Sequence, residues 1–458
     1  MHLNNIKHFL GNNSTFILIF IVSLFVFSMW LVAFYPGIMT PDSNDQWTQA
    51  ANFAFDNHHP YFHTLIISIL QRIWNNPAIV AIVQIIIASI LPAYLLSFLI
   101  KKGLNRFLAL ILFVIYVSSP SIGIFNVTLW KDIPFSLGIL AISTLFLVHY
   151  LDGFPKSRKK LLLFSTLITI IASLRHNGVL FIFLIPVVYY FLKVTNWKKS
   201  LAIFLISLAI FLFIQFPLAS ILKVYKPNFI NSVSLIHMTA GAIVGGYPIT
   251  EEQTKVLEQL ISVKSIKEKY DCRNGNSLYF HNPDFNMKVL EDPNYKREFD
   301  ALAIGIIRRS LPSVLANRAC AFANMIGLNS LVFFYGEPGV PDYMRENHNL
   351  PTYNPNIFSD ILLKYTNYTF KYKIPEHLYW NIFGYIIITI GTFVIRRNKL
   401  TLGFAIISLF NLLPLLAGGV GGDYRFVYSV HITGIFAIAL IFLPKQSGRE
   451  ETLSWREK

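Results

Sequence analysis

The chain alternates apolar runs with short polar connectors, and most runs are about as long as a membrane-spanning helix. An α-helix rises about 1.5 Å per residue, so roughly 20 apolar residues cross the hydrocarbon core of a bilayer. The pattern predicts an all-α polytopic membrane protein with about ten transmembrane helices. The predicted spans are residues 16–35, 78–100, 107–125, 133–151, 161–174, 178–192, 201–222, 379–395, 400–417 and 426–443.

The composition supports this class. Of the 458 residues, 54% are hydrophobic and 14% are charged, and the mean hydropathy is +0.51. Soluble domains carry about 25% charged residues, so an ordinary soluble protein is excluded.

The formal charge of +15 lies in short clusters between apolar runs rather than in one patch. This distribution argues against nucleic-acid binding. The basic connectors alternate along the chain, and the positive-inside rule places them, with both termini, in the cytoplasm. The other connectors and the long segment 223–378 are then extracytoplasmic. The basic connectors are residues 101–106, 156–160, 193–199 and 396–399.

Three regions follow from this topology. Residues 1–222 form an N-terminal transmembrane module with a first outer loop at 36–76, residues 223–378 a small extracytoplasmic domain, and residues 379–458 the C-terminal transmembrane helices. Within the first loop, residues 62–74 predict a helix lying on the membrane surface. Residues 301–335 predict amphipathic helices broken at Pro312, with a hidden pair of spans as the alternative. Cys272 and Cys320 are far apart and predict neither a disulfide framework nor a zinc site.

Polar clusters stand where the extracytoplasmic connectors meet the spans. In the first loop, Asp42 and Asp45 are candidates for a general base, because a carboxylate at the membrane edge can accept the proton of an attacking hydroxyl. The alternative is helix capping, in which Thr40, Asp42 or Ser43 caps a helix that starts near residue 44. The two roles are compatible.

The other clusters add cations and acids to the same face. Lys131, Arg175 and Arg425 suit the phosphate of a lipid, and Arg binds phosphate oxygens bidentately. Each of these clusters also has a structural alternative. In the first, Asp132 is an N-cap and Trp130 belongs to the aromatic belt. In the others, Arg175 snorkels to the interface, and Asp423 pairs with Arg425 to close a hairpin. The predicted substrate-binding residues are His59, Trp130, His176 and Asp423.

Metal and cofactor chemistry has weak support in the sequence. His58, His59 and His63 lie near aromatic residues and are expected to form hydrogen bonds rather than bind a metal. No P-loop, Rossmann glycine pattern or nucleophile elbow is present. No cofactor is expected, no metal-binding residue is predicted, and dependence on a divalent metal is left open.

The arrangement resembles the GT-C superfamily of integral membrane glycosyltransferases. The likeness rests on the acidic first loop, the surface helix after it, a second acid opening the fourth span and a large outer segment. The segments PGIMTPDSNDQW, WKDIPF and DYRF resemble motifs of bacterial members related to the protein O-mannosyltransferase and lipid A aminoarabinose transferase group. Relatives often have two adjacent first-loop acids, whereas here they are three apart, so the choice between Asp42 and Asp45 stays open.

The resemblance implies a sugar donor carried on polyprenyl phosphate and a hydroxyl acceptor on a cell-envelope glycan, lipid or protein. It also implies that the first-loop acid, matched best by Asp42, is the base, that Asp132 matches the second-loop acid, and that nearby cations hold the donor phosphate. The expected location is the plasma (inner) membrane of a bacterium, with the active site outside. The alternatives are a polysaccharide polymerase, a lipid or glycan transporter, and an assembly scaffold.

Overall fold

The computed structural model describes residues 2–279, 282–328, 337–338, 348–419 and 421–445. The described residues are mainly α-helical. The first seventeen helices are α1 (His2–Ala33), α2 (Pro41–Asn52), α3 (Tyr61–Ile73), α4 (Ala78–Lys101), α5 (Arg106–Ser118), α6 (Pro120–Asn126), α7 (Asp132–Asp152), α8 (Arg158–Leu174), α9 (Leu180–Phe191), α10 (Trp197–Phe213), α11 (Ala219–Ile221), α12 (Val233–Val244), α13 (Glu251–Leu260), α14 (Val263–Lys269), α15 (Asn276–Tyr279), α16 (Pro293–Arg309) and α17 (Leu311–Met325).

The C-terminal third continues with six described helices and closes the bundle. They are α18 (Ile357–Lys371), α19 (Lys373–Tyr379), α20 (Ile382–Arg396), α21 (Lys399–Leu409), α22 (Leu412–Gly418) and α23 (Tyr428–Phe442). Two short strands, β1 (Ile38–Met39) and β2 (Glu337–Pro338), pair antiparallel, with Met39 opposite Glu337.

Among the described residues, six helical segments are long and apolar enough to cross a membrane, or up to eight if each of two bent helix pairs counts as one span. The predicted span at 107–125 is not one straight helix, because α5 and α6 meet at an angle of 55°. Pro120 explains the break, since the residue before a proline avoids the helical conformation. Helices α19 and α20 meet at 62°. The predicted spans at 161–174 and 178–192 correspond to α8 and α9, which fall short of the length of a full span.

Among the described residues, most of the buried apolar side chains belong to two hydrophobic cores, and three smaller clusters contain the others. The larger core joins α1, α4, α7 and the C-terminal helices, with α7 and α23 almost completely buried. The smaller core lies within residues 236–303, where Leu257, Leu278 and Phe299 are fully buried. The long segment after the seventh predicted span therefore contains a packed unit of its own.

The helix after the first-loop acids and the stretch 301–335 are largely amphipathic helices, as their sequence patterns predict. Helix α3 buries one face against α2 and exposes Ile69 and Ile73, as expected of an amphipathic helix. Helices α16 and α17 are separated at Ser310. Pro312 lies in the first turn of α17 and not in the interior of a helix. The end of the predicted amphipathic stretch, residues 329–335, lies outside the described residues.

The cysteines correct the sequence analysis. Cys272 and Cys320 form a disulfide, with their Cα atoms 6.0 Å apart and a sequence separation of 48 residues. Helix α12 packs against both α14 and α17 and so brings the two cysteines together. Their wide spacing was poor evidence against a bridge, because the entropy of closing a loop rises only slowly with its length.

Candidate functional site

The first-loop helix α2 leaves Asp42 free for other contacts. Thr40 is its N-cap, and the Thr40 hydroxyl accepts the Ser43 backbone N–H at 3.2 Å. The helix starts at Pro41, whose missing N–H is harmless in a first turn. The capping role considered for Asp42 thus falls to Thr40, and the carboxylate of Asp42 points to groups elsewhere in the chain.

Backbone pairing places the first loop against the connector before α7. Ile38 donates its N–H to the carbonyl of Val127 at 2.8 Å, and Leu129 donates back to Ile38 at 3.1 Å. The Ser43 hydroxyl then donates to the carbonyl of Leu129 at 2.8 Å. These bonds fix Asp42 beside Lys131, although the two residues are 89 positions apart.

The carboxylate of Asp42 is the centre of the cluster. Its Oδ2 atom lies 2.7 Å from Nη1 of Arg425 and 3.4 Å from Nζ of Lys131, and its Oδ1 atom lies 3.8 Å from Nε2 of His59. Lys131 also lies 3.1 Å from Nδ1 of His59. One carboxylate therefore joins the first loop, the connector before α7 and the start of the last helix.

The two first-loop acids have opposite pKa shifts. Burial alone would raise the pKa of Asp42, but the charges of Lys131, Arg425 and His59 outweigh burial and hold that pKa well below its usual range. The pKa of Asp45 is raised, first by burial and then by the neighbouring carboxylate of Asp56. Asp42 is therefore an ion-paired anion, whereas Asp45 lies among groups that favour its protonation.

Arg425 has a second acidic partner and an aromatic support. Its Nε lies 2.8 Å from Oδ2 of Asp423, and its backbone N–H donates to Oδ1 of Asp423 at 3.0 Å. Its guanidinium stacks on the indole of the buried Trp130, 4.7 Å from the ring centroid. The Asp–Arg pair expected from the sequence exists, and Arg425 additionally reaches Asp42.

A second, more deeply buried ion pair lies behind the first. Nη1 of Arg175 lies 2.9 Å from Oδ1 of Asp132, whose side chain is completely buried. The guanidinium of Arg175 packs on Phe135 and Phe426, and Phe426 also contacts Arg425. Arg175 is thus the ion-pair partner of the buried acid Asp132.

The remaining predicted residues line the rim of the cluster. Asp45 accepts the side-chain amide of Gln49 at 2.9 Å, and the same amide nitrogen donates to Asp56 at 2.8 Å. His176 lies 3.2 Å from the carbonyl of His58, which ties the Arg175 turn to the first loop. The structure therefore brings all ten predicted site residues to one end of the helix bundle. Some contact another predicted residue directly, and others are connected to one through a single intervening residue. They are Asp42, Asp45, His59, Trp130, Lys131, Asp132, Arg175, His176, Asp423 and Arg425.

Gln49 and Asp56 are site residues that sequence reasoning missed. The sequence signal for them is proximity alone. Asp56 lies two residues before the paired histidines, and Gln49 lies one helical turn after Asp45. His63, by contrast, faces inward and pairs with Gln46 at 3.2 Å, so it forms a hydrogen bond as predicted.

Residues of the long segment 223–378 form hydrogen bonds with the glycine-rich connector before Asp423. Arg318 donates to the carbonyl of Gly419 at 2.6 Å, and Ser234 donates to that of Gly418 at 2.8 Å. The N–H of Gly422 donates to the carbonyl of Arg273 at 3.1 Å. A side chain at Gly422 would collide with Asn324, because an added Cβ would lie 2.0 Å from its amide nitrogen. These contacts hold the connector in place immediately before Asp423 and Arg425.

Comparison of the chain with protein-family models, curated proteins and solved structures finds no match. The site's chemistry must therefore be argued from its geometry. That geometry combines a carboxylate with two cations, next to a more deeply buried ion pair.

Proposed function

We propose that this protein is a membrane glycosyltransferase that moves a sugar from a polyprenyl-phosphate carrier to a hydroxyl acceptor on the extracytoplasmic face. The observation that supports this most is the contact of Asp42 with both Arg425 and Lys131 at one end of an apolar helix bundle. A lipid-linked phosphate needs cations at the membrane edge, and an attacking hydroxyl needs a base beside them.

In the proposed reaction the donor phosphate contacts Arg425 and Lys131. Its negative charge offsets theirs, so the pKa of Asp42 rises from its depressed value towards the range of a useful base. Asp42 then takes the proton of the acceptor hydroxyl while that oxygen forms a bond to the anomeric carbon. The bond from that carbon to the phosphate oxygen breaks, and the cations stabilise the charge on the departing lipid phosphate.

The proposed orientation predicts the result of reporter fusions. Fusions after Lys102, Lys160, Lys199 and Arg397 should report the cytoplasm, because basic connectors stay inside. Fusions after Asp45, Asn177 and Gly422 should report the outside. Alkaline phosphatase and green fluorescent protein are suitable paired reporters. A cytoplasmic result after Asp45 would place Asp42 where no flipped lipid donor is available and would refute the proposed reaction.

Donor binding should depend on Arg425 more than on any exposed cation. Arg425→Gln should weaken binding of undecaprenyl phosphate at least about tenfold, because a charge-assisted hydrogen bond contributes about 1.5–3 kcal/mol. Arg425→Lys should restore only part of the affinity, since the bidentate geometry is lost. Affinity can be measured by native mass spectrometry in detergent.

The matched control is Arg397→Gln. Arg397 directly follows the C-terminal end of α20, and its side chain donates to the carbonyl of Val394. This variant should bind undecaprenyl phosphate like the unmodified protein. Equal affinity in the Arg425→Gln and Arg397→Gln variants would remove Arg425 from the proposed donor site.

A further inference from the structure

The rim of the cluster contains a set of metal-ligating groups that the proposed transfer does not use. Ligand atoms of Asp45, His58 and His59 all lie within 4.8 Å of one another. Two imidazoles and one carboxylate are a common ligand set for Zn²⁺ and related divalent ions, which hold a water or substrate at the positions left open. Asp45 and His58 are exposed, so an ion has a path to the site.

The balance of charge around these residues is a separate observation in favour of a cation. The cluster contains five carboxylates against three cations, and the cations already pair with Asp42, Asp132 and Asp423. Asp45 and Asp56 share one amide nitrogen of Gln49 and form no ion pair with a lysine or arginine of the described chain. Lys223 lines the same cavity as Asp56 but does not pair with it. Adding a phosphate to this site would increase the negative excess unless another cation entered.

We propose that Asp45, His58 and His59 bind a divalent transition-metal ion such as Zn²⁺. Gln49 and Asp56 support the ligands: Gln49 donates to Asp45, and Oδ1 of Asp56 accepts the backbone N–H of His58 at 2.9 Å. Second-layer hydrogen bonds of this kind orient metal ligands. The ion offsets the two unpaired carboxylates next to the proposed phosphate position.

Lys131 competes with the metal for His59. Its ammonium lies 3.1 Å from Nδ1 of His59 and 3.4 Å from Asp42. An imidazole that binds a metal carries a proton on its other nitrogen, so it offers no lone pair to an ammonium. Lys131 must therefore turn from His59 to Asp42 when the metal binds. Removal of the Lys131 charge should therefore favour metal binding. Metal binding to surface histidines that do not contact Lys131 would not respond to this change.

The test uses the full-length, tag-free protein in detergent, stripped with a chelator and dialysed against Zn²⁺. Elemental analysis should give one zinc per chain. His58→Ala and Asp45→Asn should each lower the zinc affinity at least about tenfold, whereas Lys131→Ala should bind at least as tightly as the unmodified protein. The control His377→Ala removes a histidine that is hydrogen-bonded to Asn381 and lies outside the charged cluster, so it should retain full binding.

Zinc bound below one equivalent at micromolar concentration, or equal affinity in His58→Ala and His377→Ala, would overturn the metal site. Weaker binding in Lys131→Ala would contradict the competition at His59. The metal site does not require sugar transfer, so its failure is separable from failure of the proposed function. The contribution of the metal to donor binding does rest on the proposed function. Zinc-loaded protein should bind undecaprenyl phosphate more tightly than stripped protein. Equal affinities would reject that contribution.

Discussion

Asp42→Asn should slow sugar transfer by about 10²–10⁴, which is the usual contribution of a general base. The amide keeps the size of the side chain, and Thr40 rather than Asp42 caps the helix, so folding should be little affected. Binding of undecaprenyl phosphate should become tighter rather than weaker, because Arg425 and Lys131 lose the carboxylate that competes with phosphate for them. The measurements are transfer of labelled sugar in membranes and donor affinity in detergent.

The matched comparison is Asp45→Asn, a neighbouring carboxylate on the same helix that contacts neither Arg425 nor Lys131. In zinc-stripped protein it should reduce transfer less than Asp42→Asn and should leave the affinity for undecaprenyl phosphate unchanged, because Asp45 does not compete with phosphate for Arg425 or Lys131. If Asp45→Asn has the larger effect, the two acids exchange roles. A double Asn variant that transfers sugar at the unmodified rate would end the proposed mechanism.

Asp132→Asn should destabilise the fold by about 3–5 kcal/mol, because it leaves the buried charge of Arg175 without its partner. A second ion pair at the other end of the same helix provides the control. Asp152 pairs with Lys102, but its side chain is 48% exposed. Asp152→Asn should therefore cost no more than about 1 kcal/mol. Unfolding in a series of mixed detergent micelles, followed by circular dichroism, measures both variants.

Equal stability of the Asp132→Asn and Asp152→Asn variants would mean that the Arg175–Asp132 pair makes no special contribution to the fold. Loss of transfer in Asp132→Asn without loss of stability would instead assign the acid to the reaction. The two outcomes separate a structural role of Asp132 from a catalytic one.

The sequence was sufficient to select the ion-paired residues of the cluster, although not Gln49 or Asp56, because a charged side chain at the end of an apolar run is costly unless it has a partner. It was not sufficient to assign the partners. The prediction that Arg175 binds phosphate stays a prediction. In the structure this arginine pairs with Asp132, because a fully buried carboxylate needs a cation within contact distance. The Cys272–Cys320 bridge was missed for a similar reason. It depends on α12 and α17 packing together, and no local sequence pattern indicates such a long-range contact.

The contact between Asp42 and Arg425 spans 383 residues and so has a consequence for the biosynthesis of the protein. Ribosomes add about 5–20 residues per second, so Asp42 is made roughly 20–80 s before its main partner. During that interval the N-terminal helices are in place, but the first-loop acid lacks Arg425. The nascent chain should therefore be inactive until its last helix inserts. Truncated chains that lack this helix should expose an unneutralised carboxylate at the membrane surface, which membrane quality-control proteases can recognise.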